Sequence, residues 1–128
     1  MQEVQIRKRT MTDDAGIFAL IEEAGWKTIL QSEEAFQQAL FHSVVLVAEQ
    51  EKRVVGYARC ITDGSMTAFL CELLVQKEKR KKGIGRKLIE ALEAMLPTIR
   101  MDLISEQDGF YETLGYRSLG QGYRKYLV

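Results

Sequence analysis

Three apolar segments follow one another in the middle of the chain, and they constrain the fold more than any other sequence feature. Residues 44–48 form a continuous apolar run, and residues 54–61 and 66–76 are the next two strand-like segments. A polar turn at residues 49–53 separates the first two, and Asp63-Gly64, a strong hairpin signal, separates the second from the third. Because such short turns join antiparallel strands, this part of the chain predicts a three-stranded meander.

Two helices are predicted before the meander, after an alternating strand at residues 4–7. The first begins at Thr12, where a capping side chain precedes acidic residues, and ends at Gly25. The second begins at Ser32, which is also followed by acidic residues. Residues 26–28 are predicted to form the loop between these two helices.

A helix and a further strand are predicted after the meander. Apolar residues recur at helical spacing from Ile84 to Met95, and Pro97, the only proline, ends the helix. Residues 99–104 have the composition of a strand. A helix between two strands favours a parallel crossover, so the strand at residues 99–104 is expected to run parallel to its neighbour.

The C-terminal part of the chain predicts a short helix at residues 109–114, ended by Gly115, and one or two strands in residues 116–128. With 128 residues the chain is long enough for one ordinary core, so residues 1–128 are predicted to form one domain. The predicted fold class is α/β (α+β), with a single mixed, mostly antiparallel sheet flanked by helices.

Composition excludes several classes of protein. The chain is 46% hydrophobic and 28% charged, which is typical of a soluble globular protein. Its formal net charge of +0 argues against a general nucleic-acid binder. The sequence has neither an apolar signal core at its start nor the run of about 18 apolar residues that a membrane span requires. A cytoplasmic protein without membrane or nucleic-acid partners is therefore expected.

Cysteine and histidine usage indicates no metal site and no disulfide framework. Cys60 and Cys71 both lie in strand-like apolar runs and are expected to be reduced thiols. His42 is the only histidine, so a histidine-based metal cluster cannot form. We therefore expect no metal.

A basic segment with two glycines, residues 77–88 (KEKRKKGIGRKL), leads into the helix predicted from Ile84 to Met95. Gly83 and Gly85 would let the backbone approach a ligand, and a helix N-terminus presents unpaired N–H groups to an anion. The segment lacks the Gly-Lys-Ser/Thr ending of a Walker A loop and the third glycine of a dinucleotide fingerprint. The residues alone are compatible with a phosphorylated cofactor, a solvated helix start or an RNA-binding module.

Three motifs in order resemble the GNAT superfamily of N-acetyltransferases. Residues 75–88 resemble its acetyl-CoA motif, Arg/Gln-x-x-Gly-x-Gly/Ala after a strand that ends in valine. Residues 109–116 (GFYETLGY) are similar to its C-terminal signature, and residues 55–59 (VGYAR) look like its valine-glycine strand. The resemblance covers nearly the whole chain and implies a sheet whose central strand pair is splayed.

The resemblance implies that acetyl-CoA is the co-substrate. The strand before the glycine loop would pair its backbone with the pantetheine arm, and the loop with the start of the helix would hold the pyrophosphate through main-chain N–H groups. The cofactor-binding residues implied in this way are Leu73, Leu74, Val75, Arg80, Lys81, Lys82, Gly83, Ile84, Gly85 and Arg86. Relatives often place an Asn after the following strand; Ser105 or Gln107 would have to replace it here.

The resemblance also implies a general acid, Tyr111, which would protonate the departing CoA thiolate. A phenol with a pKa of about 10 is protonated at neutral pH and can donate to such an anion. The alternative is a tyrosine that only packs. Glu72, a carboxylate within an apolar run, is the leading candidate for the base that deprotonates the amine acceptor. Asp102 on the next strand and a water chain are the alternative bases, and Glu72 could instead face solvent or bond the neighbouring strand for a structural reason.

The predicted function is transfer of an acetyl group from acetyl-CoA to a primary amine, by direct attack in a ternary complex. Trp26, between the first two helices, could line the pocket of a small-molecule acceptor or could belong to the core. A non-catalytic acyl-CoA-binding or sensing module and a protein N-terminal acetyltransferase are the alternatives. A homodimer is common in such folds, so the resemblance leaves that option open.

Overall fold

A computed structural model describes residues 3–127, which contain one five-stranded mixed sheet. Its strands, in chain order and in spatial order, are β1 (Gln5–Lys8), β2 (Val44–Gln50), β3 (Arg53–Thr62), β4 (Thr67–Val75) and β5 (Arg100–Leu103). Strands β1 to β4 are antiparallel to their neighbours, and β5 runs parallel to β4. The predicted meander, parallel crossover and mixed, mostly antiparallel sheet are thus confirmed.

Helices cover both faces of this sheet. They are α1 (Asp14–Ala24), α2 (Lys27–Leu30), α3 (Glu33–Phe41), α4 (Ile84–Met95) and α5 (Asp108–Thr113). Side chains alternate between the faces along each strand, so Val45 and Val47 of β2 pack under α1 and α3, whereas Leu46 and Ala48 pack under α4. None of the helices within residues 3–127 is long and apolar enough to cross a membrane.

Paired ions attach the start of α1 to the sheet. Arg7 of β1 binds Asp13 through two nitrogen–oxygen contacts of 2.8 and 2.9 Å, and it also binds Glu49 of β2 at 2.7 Å. Arg9 binds both oxygens of Asp14 at 2.6 and 2.7 Å. Asp13 and Asp14 are buried, so these partners satisfy carboxylates that water barely reaches.

The predicted loop at residues 26–28 is wrong in part, because Lys27 and Thr28 lie in the short helix α2. The backbone N–H groups of Leu30 and Gln31 bond to the carbonyl oxygens of Trp26 and Lys27 at 3.1 and 2.9 Å. A single helical turn therefore satisfies backbone groups that an irregular loop would leave to water.

The prediction of one or two strands in residues 116–128 is wrong for the described part, since residues 116–127 form no strand. Val128 lies outside the described residues. Gly120 and Gly122 interrupt this segment, and glycine weakens a strand because it carries no side chain to pack. Instead the segment passes Ile104, whose Cδ1 atom would lie 3.0 Å from a Cβ placed on Gly122.

Candidate functional site

The sheet opens in the second half of β4. Residues Thr67–Leu70 pair with Arg100–Leu103 of β5, but residues 71–75 have a neighbour only on the β3 side within the described chain. The N–H and C=O groups on their other side therefore lack a strand partner. This free edge is the splay that the resemblance implied, and it can accept an extended ligand through backbone hydrogen bonds.

The N-terminus of α4 follows β4 and presents free backbone donors. Gly83 caps the helix with φ of +83°, in the left-handed region, and among the described residues no side chain hydrogen-bonds to this end of the helix. The first intrahelical bond of the cap runs from the N–H of Lys87 to the carbonyl of Gly83 at 3.0 Å. The N–H groups of Ile84, Gly85 and Arg86 have no carbonyl one turn earlier, so they can bind an anion.

The basic side chains around this loop differ in whether they are already bonded to other groups of the protein. The Nε atom of Arg80 donates to the carbonyl of Val75 at 3.0 Å, which folds this side chain back onto the end of β4. Arg86 forms an exposed ion pair with Glu90 at 3.5 Å. Lys81 and Lys82 are exposed and stand next to the helix cap.

Gly85 has a packing role that sequence reasoning missed. A Cβ atom at this position would lie 3.2 Å from Cζ of Phe110 and 3.7 Å from Cδ2 of Leu73. The absent side chain therefore makes room for Phe110, which docks α5 against α4 and β4. Gly83, in contrast, has open space around it, and its positive φ is the reason for glycine there.

Tyr111 lies next to Phe110 on α5 and is half-buried. Its ring meets the rings of Phe110 and Tyr116 edge to face, at centroid distances of 5.0 and 5.9 Å. Within residues 3–127 its hydroxyl has no hydrogen-bond partner. Burial raises the pKa of this hydroxyl, so Tyr111 is a protonated donor at neutral pH.

Glu72 of β4 is bound by Arg59 of β3. The Nε atom of Arg59 donates to Oε1 of Glu72 at 2.7 Å, and Nη2 donates to Oε2 at 2.6 Å. The hydroxyl of Tyr57 lies 3.3 Å from Oε1. Burial is the largest single effect on the pKa of Arg59 and lowers it, but the hydrogen bond and the negative charge of Glu72, with smaller contributions from Cys71 and Tyr57, together raise this pKa overall. Burial and Glu72 both raise the pKa of Tyr57.

Arg59 and Tyr57 are members of the site that sequence reasoning did not single out. The signal was available, because an arginine within the apolar residues 54–61 is as unusual as Glu72 within its own apolar run. The sequence did not reveal that these two charges lie opposite each other.

Comparison with known proteins identifies the family of this chain. Residues 41–118 match the family described as the acetyltransferase (GNAT) domain. The chain belongs to the GNAT acetyltransferase family. The protein described as "GCN5-related N-acetyltransferase 2, chloroplastic", from Arabidopsis thaliana, is 32% identical over 79 residues, which are 58% of this chain and 31% of that protein. The match therefore spans less than a third of that relative's length.

Solved structures agree with the GNAT fold. A GNAT-family acetyltransferase from Streptococcus pneumoniae has a TM-score of 0.79 and 27% identity, with 96% of this chain and 98% of that chain covered. AAC(6′)-Iy in complex with the bisubstrate analogue CoA-S-monomethyl-acetylneamine has a TM-score of 0.73 and 19% identity, with 98% and 99% covered. The second likeness shows the fold alone.

The remaining predicted residues of this GNAT domain lie around the same elements. Trp26 is partly buried against the core below α1 and α3. Asp102 of β5 is partly buried, and its carboxylate lies 3.9 Å from Arg100. The Oγ atom of Ser105 accepts the N–H of Gln107 at 3.0 Å, so these two residues shape the turn before α5. Within residues 3–127 no group of His, Cys, Asp or Glu is arranged to hold a metal ion.

Tyr111 and Glu72 do not contact each other. Tyr111 packs on the core cluster under α4, whereas Glu72 bonds to Tyr57, which belongs to the cluster under α1 and α3. The two side chains therefore border opposite faces of the sheet, on either side of the free edge of β4. Their catalytic roles stay predictions.

Proposed function

We propose that this GNAT domain transfers an acetyl group from acetyl-CoA to the primary amine of a small molecule. The observation that carries the proposal is the free edge of β4 at residues 71–75, followed by the N-terminus of α4, which no side chain of the described residues caps. A backbone edge followed by a cluster of free N–H groups suits a ligand that has an extended amide chain and a diphosphate.

The residues that would hold acetyl-CoA follow from this arrangement. The backbone of Leu73, Leu74 and Val75 would bind the pantetheine arm, and the N–H groups from Gly83 to Arg86 would bind the pyrophosphate. Lys81 and Lys82 add positive charge beside them, and their exposure makes this part of the affinity sensitive to salt. Arg80 contributes by fixing the end of β4, because its side chain is bonded to Val75. When bound, acetyl-CoA supplies a thioester as the acetyl donor.

Two side chains would move the protons. Glu72 would take a proton from the ammonium form of the acceptor, which leaves a neutral nitrogen able to attack the acetyl carbon. Tyr111 would donate its hydroxyl proton to the thiolate that leaves as the new C–N bond replaces the C–S bond. The proton that the amine nitrogen loses as the amide forms returns through solvent to the phenolate of Tyr111, and Glu72 releases its own proton to solvent before the next turnover.

A small-molecule acceptor is the form of the proposal that the comparisons support best. The bisubstrate analogue bound by AAC(6′)-Iy joins CoA to acetylneamine. Trp26, partly buried beside the α1 and α3 core, would form a wall of the acceptor pocket. Acceptance of a protein N-terminus, and CoA binding without catalysis, are the outcomes that a test must separate from this proposal.

The test combines acetyl-CoA binding with turnover. Acetyl-CoA at about 100 times its dissociation constant should stabilise the protein by about 2.7 kcal/mol, measured as a thermal shift. Thiol release is then followed with glucosamine, spermidine, tryptamine and a short peptide with a free N-terminus. We expect turnover with at least one of the first three amines. Binding without any turnover would support the non-catalytic module, and no thermal shift would overturn the cofactor assignment.

A further inference from the structure

The guanidinium of Arg59 contacts three groups in the middle of the sheet. It donates two hydrogen bonds to Glu72, and its Nη1 atom lies 3.2 Å from Oγ of Ser43. The ring of Phe36 lies over it, with 5.6 Å between Cζ and the ring centroid. The side chains of Arg59 and Glu72 are only 15% and 11% exposed. This is a largely buried ion pair in which three of the five guanidinium N–H groups have partners among the described residues.

Stability alone gives little reason for such a pair. Replacing a buried ion pair by apolar residues of similar volume is often neutral or stabilising, because removing two charges from water is costly. The strands around Arg59 and Glu72 are otherwise apolar, and leucine or valine would continue the core cluster under α1 and α3. We therefore look for the reason for these two charges in the chemical role of Glu72.

The hydrogen bonds that Glu72 accepts from the described residues leave one lone pair of its carboxylate unoccupied. Its carboxylate has four lone-pair positions, two on each oxygen. Arg59 and Tyr57 occupy both positions on Oε1, and Arg59 occupies one position on Oε2. One lone pair of Oε2 is left, and the planar guanidinium fixes its direction because both carboxylate oxygens are held at once.

A β-bulge places this pair at the opening of the sheet. Arg59 is opposite Glu72, but the next residue, Cys60, is opposite Leu70, so Cys71 is the extra residue on β4. The β4 pairing with β5 ends at Leu70. Bulges redirect side chains and increase the local twist. The ion pair therefore lies directly at the beginning of the free edge.

Arg59 also connects Glu72 to α3. The Oγ atom of Ser43 donates to the carbonyl of Ala39 in the last turn of α3 at 2.6 Å, and it accepts the bond from Arg59. Phe36 belongs to the same helix. Residues of β4, of α3 and of the turn between α3 and β2 thus hold the guanidinium, which gives it less freedom than a surface arginine would have.

We propose that Arg59 is a positioning residue that holds the Glu72 carboxylate in one orientation, with the open lone pair of Oε2 directed to the acceptor amine. This inference rests on the proposed function, in which Glu72 accepts the amine proton. Arg59 itself touches neither the acceptor nor the acetyl donor. Its contribution is to reaction geometry, where a displacement of about 1 Å can cost about 100-fold in rate.

The test is a double-mutant cycle of Arg59→Met and Glu72→Gln, with the amine that gives the highest kcat/KM in the wild-type protein. Arg59→Met should lower kcat by about 100-fold, and Glu72→Gln by about 100-fold or more. If Arg59 acts through Glu72, adding Arg59→Met to Glu72→Gln should lower kcat by less than about threefold. Arg59→Lys, which keeps the charge but not the two-pronged geometry, should recover only part of the lost rate.

Two binding measurements distinguish a variant whose Glu72 carboxylate is misplaced from a variant that is no longer correctly folded. Calorimetry should give the same acetyl-CoA dissociation constant for all variants, because Arg59 does not line the β4 edge or the α4 terminus. Binding of the amine to the CoA-bound protein should weaken in Arg59→Met, since the carboxylate that receives its ammonium is no longer fixed. An unchanged amine affinity together with unchanged kcat would overturn the inference.

A matched control exists in the pair Arg9–Asp14, which has the same two-pronged geometry and a similar exposure of 12% and 9%. Arg9→Met should lower the melting temperature as Arg59→Met does, yet leave kcat of the folded protein unchanged. Equal loss of kcat in both variants would reduce Arg59 to a structural role. If the wild-type protein turns over no amine, both the proposed function and this inference fail. If the wild-type protein is active and Arg59→Met leaves its kcat unchanged, only the inference fails.

Discussion

Tyr111 is held so that its hydroxyl can act as a donor. Edge-to-face contacts with Phe110 and Tyr116 fix the ring, and within the described residues no other group uses its hydroxyl. The hydroxyl of Tyr116, one ring away, is instead bonded to Glu93 at 2.8 Å. Of these two phenols, Tyr111 is therefore the one available to a bound thioester.

Replacing Tyr111 by Phe should lower kcat by about 100-fold to 10,000-fold, because it removes the proton donor and keeps the ring. The dissociation constant of acetyl-CoA should not change, and the melting temperature should change little. Steady-state kinetics and calorimetry give these values. Tyr123→Phe is the control, since Tyr123 is 88% exposed and bonds only to Gln121. Unchanged kcat in Tyr111→Phe would remove Tyr111 from the mechanism.

Neighbouring glycines of one motif serve different purposes. Gly83 is required by its backbone angle, and Gly85 by the ring of Phe110. The sequence motif contains both glycines, and from the sequence alone we expect one role for both, which is close approach of the backbone to a ligand. The contact with Phe110 links the two matching motifs of the family, 25 residues apart in the chain.

At the scale of elements, the start of α1 depends on charged contacts. Asp13 is 6% exposed and receives bonds from Arg7 and from the backbone N–H of Thr10. The bond to Arg7 is the main cause of the lowered pKa of Asp13, although burial opposes it. A carboxyl whose folded-state pKa is depressed stabilises the protein above its unfolded pKa of about 3.9.

Asp13→Asn should lower the free energy of unfolding by about 2 kcal/mol at pH 7, from the loss of hydrogen bonds to a charged partner. The difference from wild type should shrink as the pH falls below about 4, because the wild-type carboxyl then becomes protonated and loses its advantage. Urea unfolding at pH 7, 5, 4 and 3 measures this difference. Glu106→Gln, an exposed carboxylate in the turn before α5, should show no such pH dependence. A difference that stays constant with pH would contradict the charged origin of the effect.

At the scale of the whole molecule, the C-terminal segment is the least attached part of the described chain. No backbone hydrogen bond joins residues 117–127 to the rest of residues 3–127. Leu119, Tyr123 and Leu127 are 74% to 88% exposed. The contacts of the segment with the rest of the described chain include the packing of Gly122 on Ile104 and a bond from Thr28 to the hydroxyl of Tyr126, which lowers the pKa of that hydroxyl. Stability is lowest where buried contacts and backbone bonds are few.

Deletion of residues 117–128 should therefore change the free energy of unfolding by less than about 1 kcal/mol and leave acetyl-CoA affinity unchanged. Urea unfolding and calorimetry test this. A deletion from residue 108 onward is the comparison, since it also removes α5 and Phe110. That longer deletion should be strongly destabilising. Loss of folding in the shorter deletion would show that the segment has contacts beyond those described.

The sequence by itself determined the elements and most of their order. Strand and helix periods, the Asp63-Gly64 turn and Pro97 act between residues close in the chain, so a local pattern is sufficient to predict them. The motifs around Gly83 and Tyr111 also predicted the family, which comparison confirmed. The C-terminal strands were mispredicted because an alternating pattern does not show whether a partner edge is available.

Only the tertiary structure decided which side chains meet. The pairing of Arg59 with Glu72 depends on the bulge at Cys71, since a shift of one residue in register would turn Glu72 to the other face. The contact of Gly85 with Phe110 depends on how α5 docks on α4. Periodicity sets the face on which a residue lies, but register and docking angle set its neighbours. These are fixed by packing of the whole domain, which no local pattern contains.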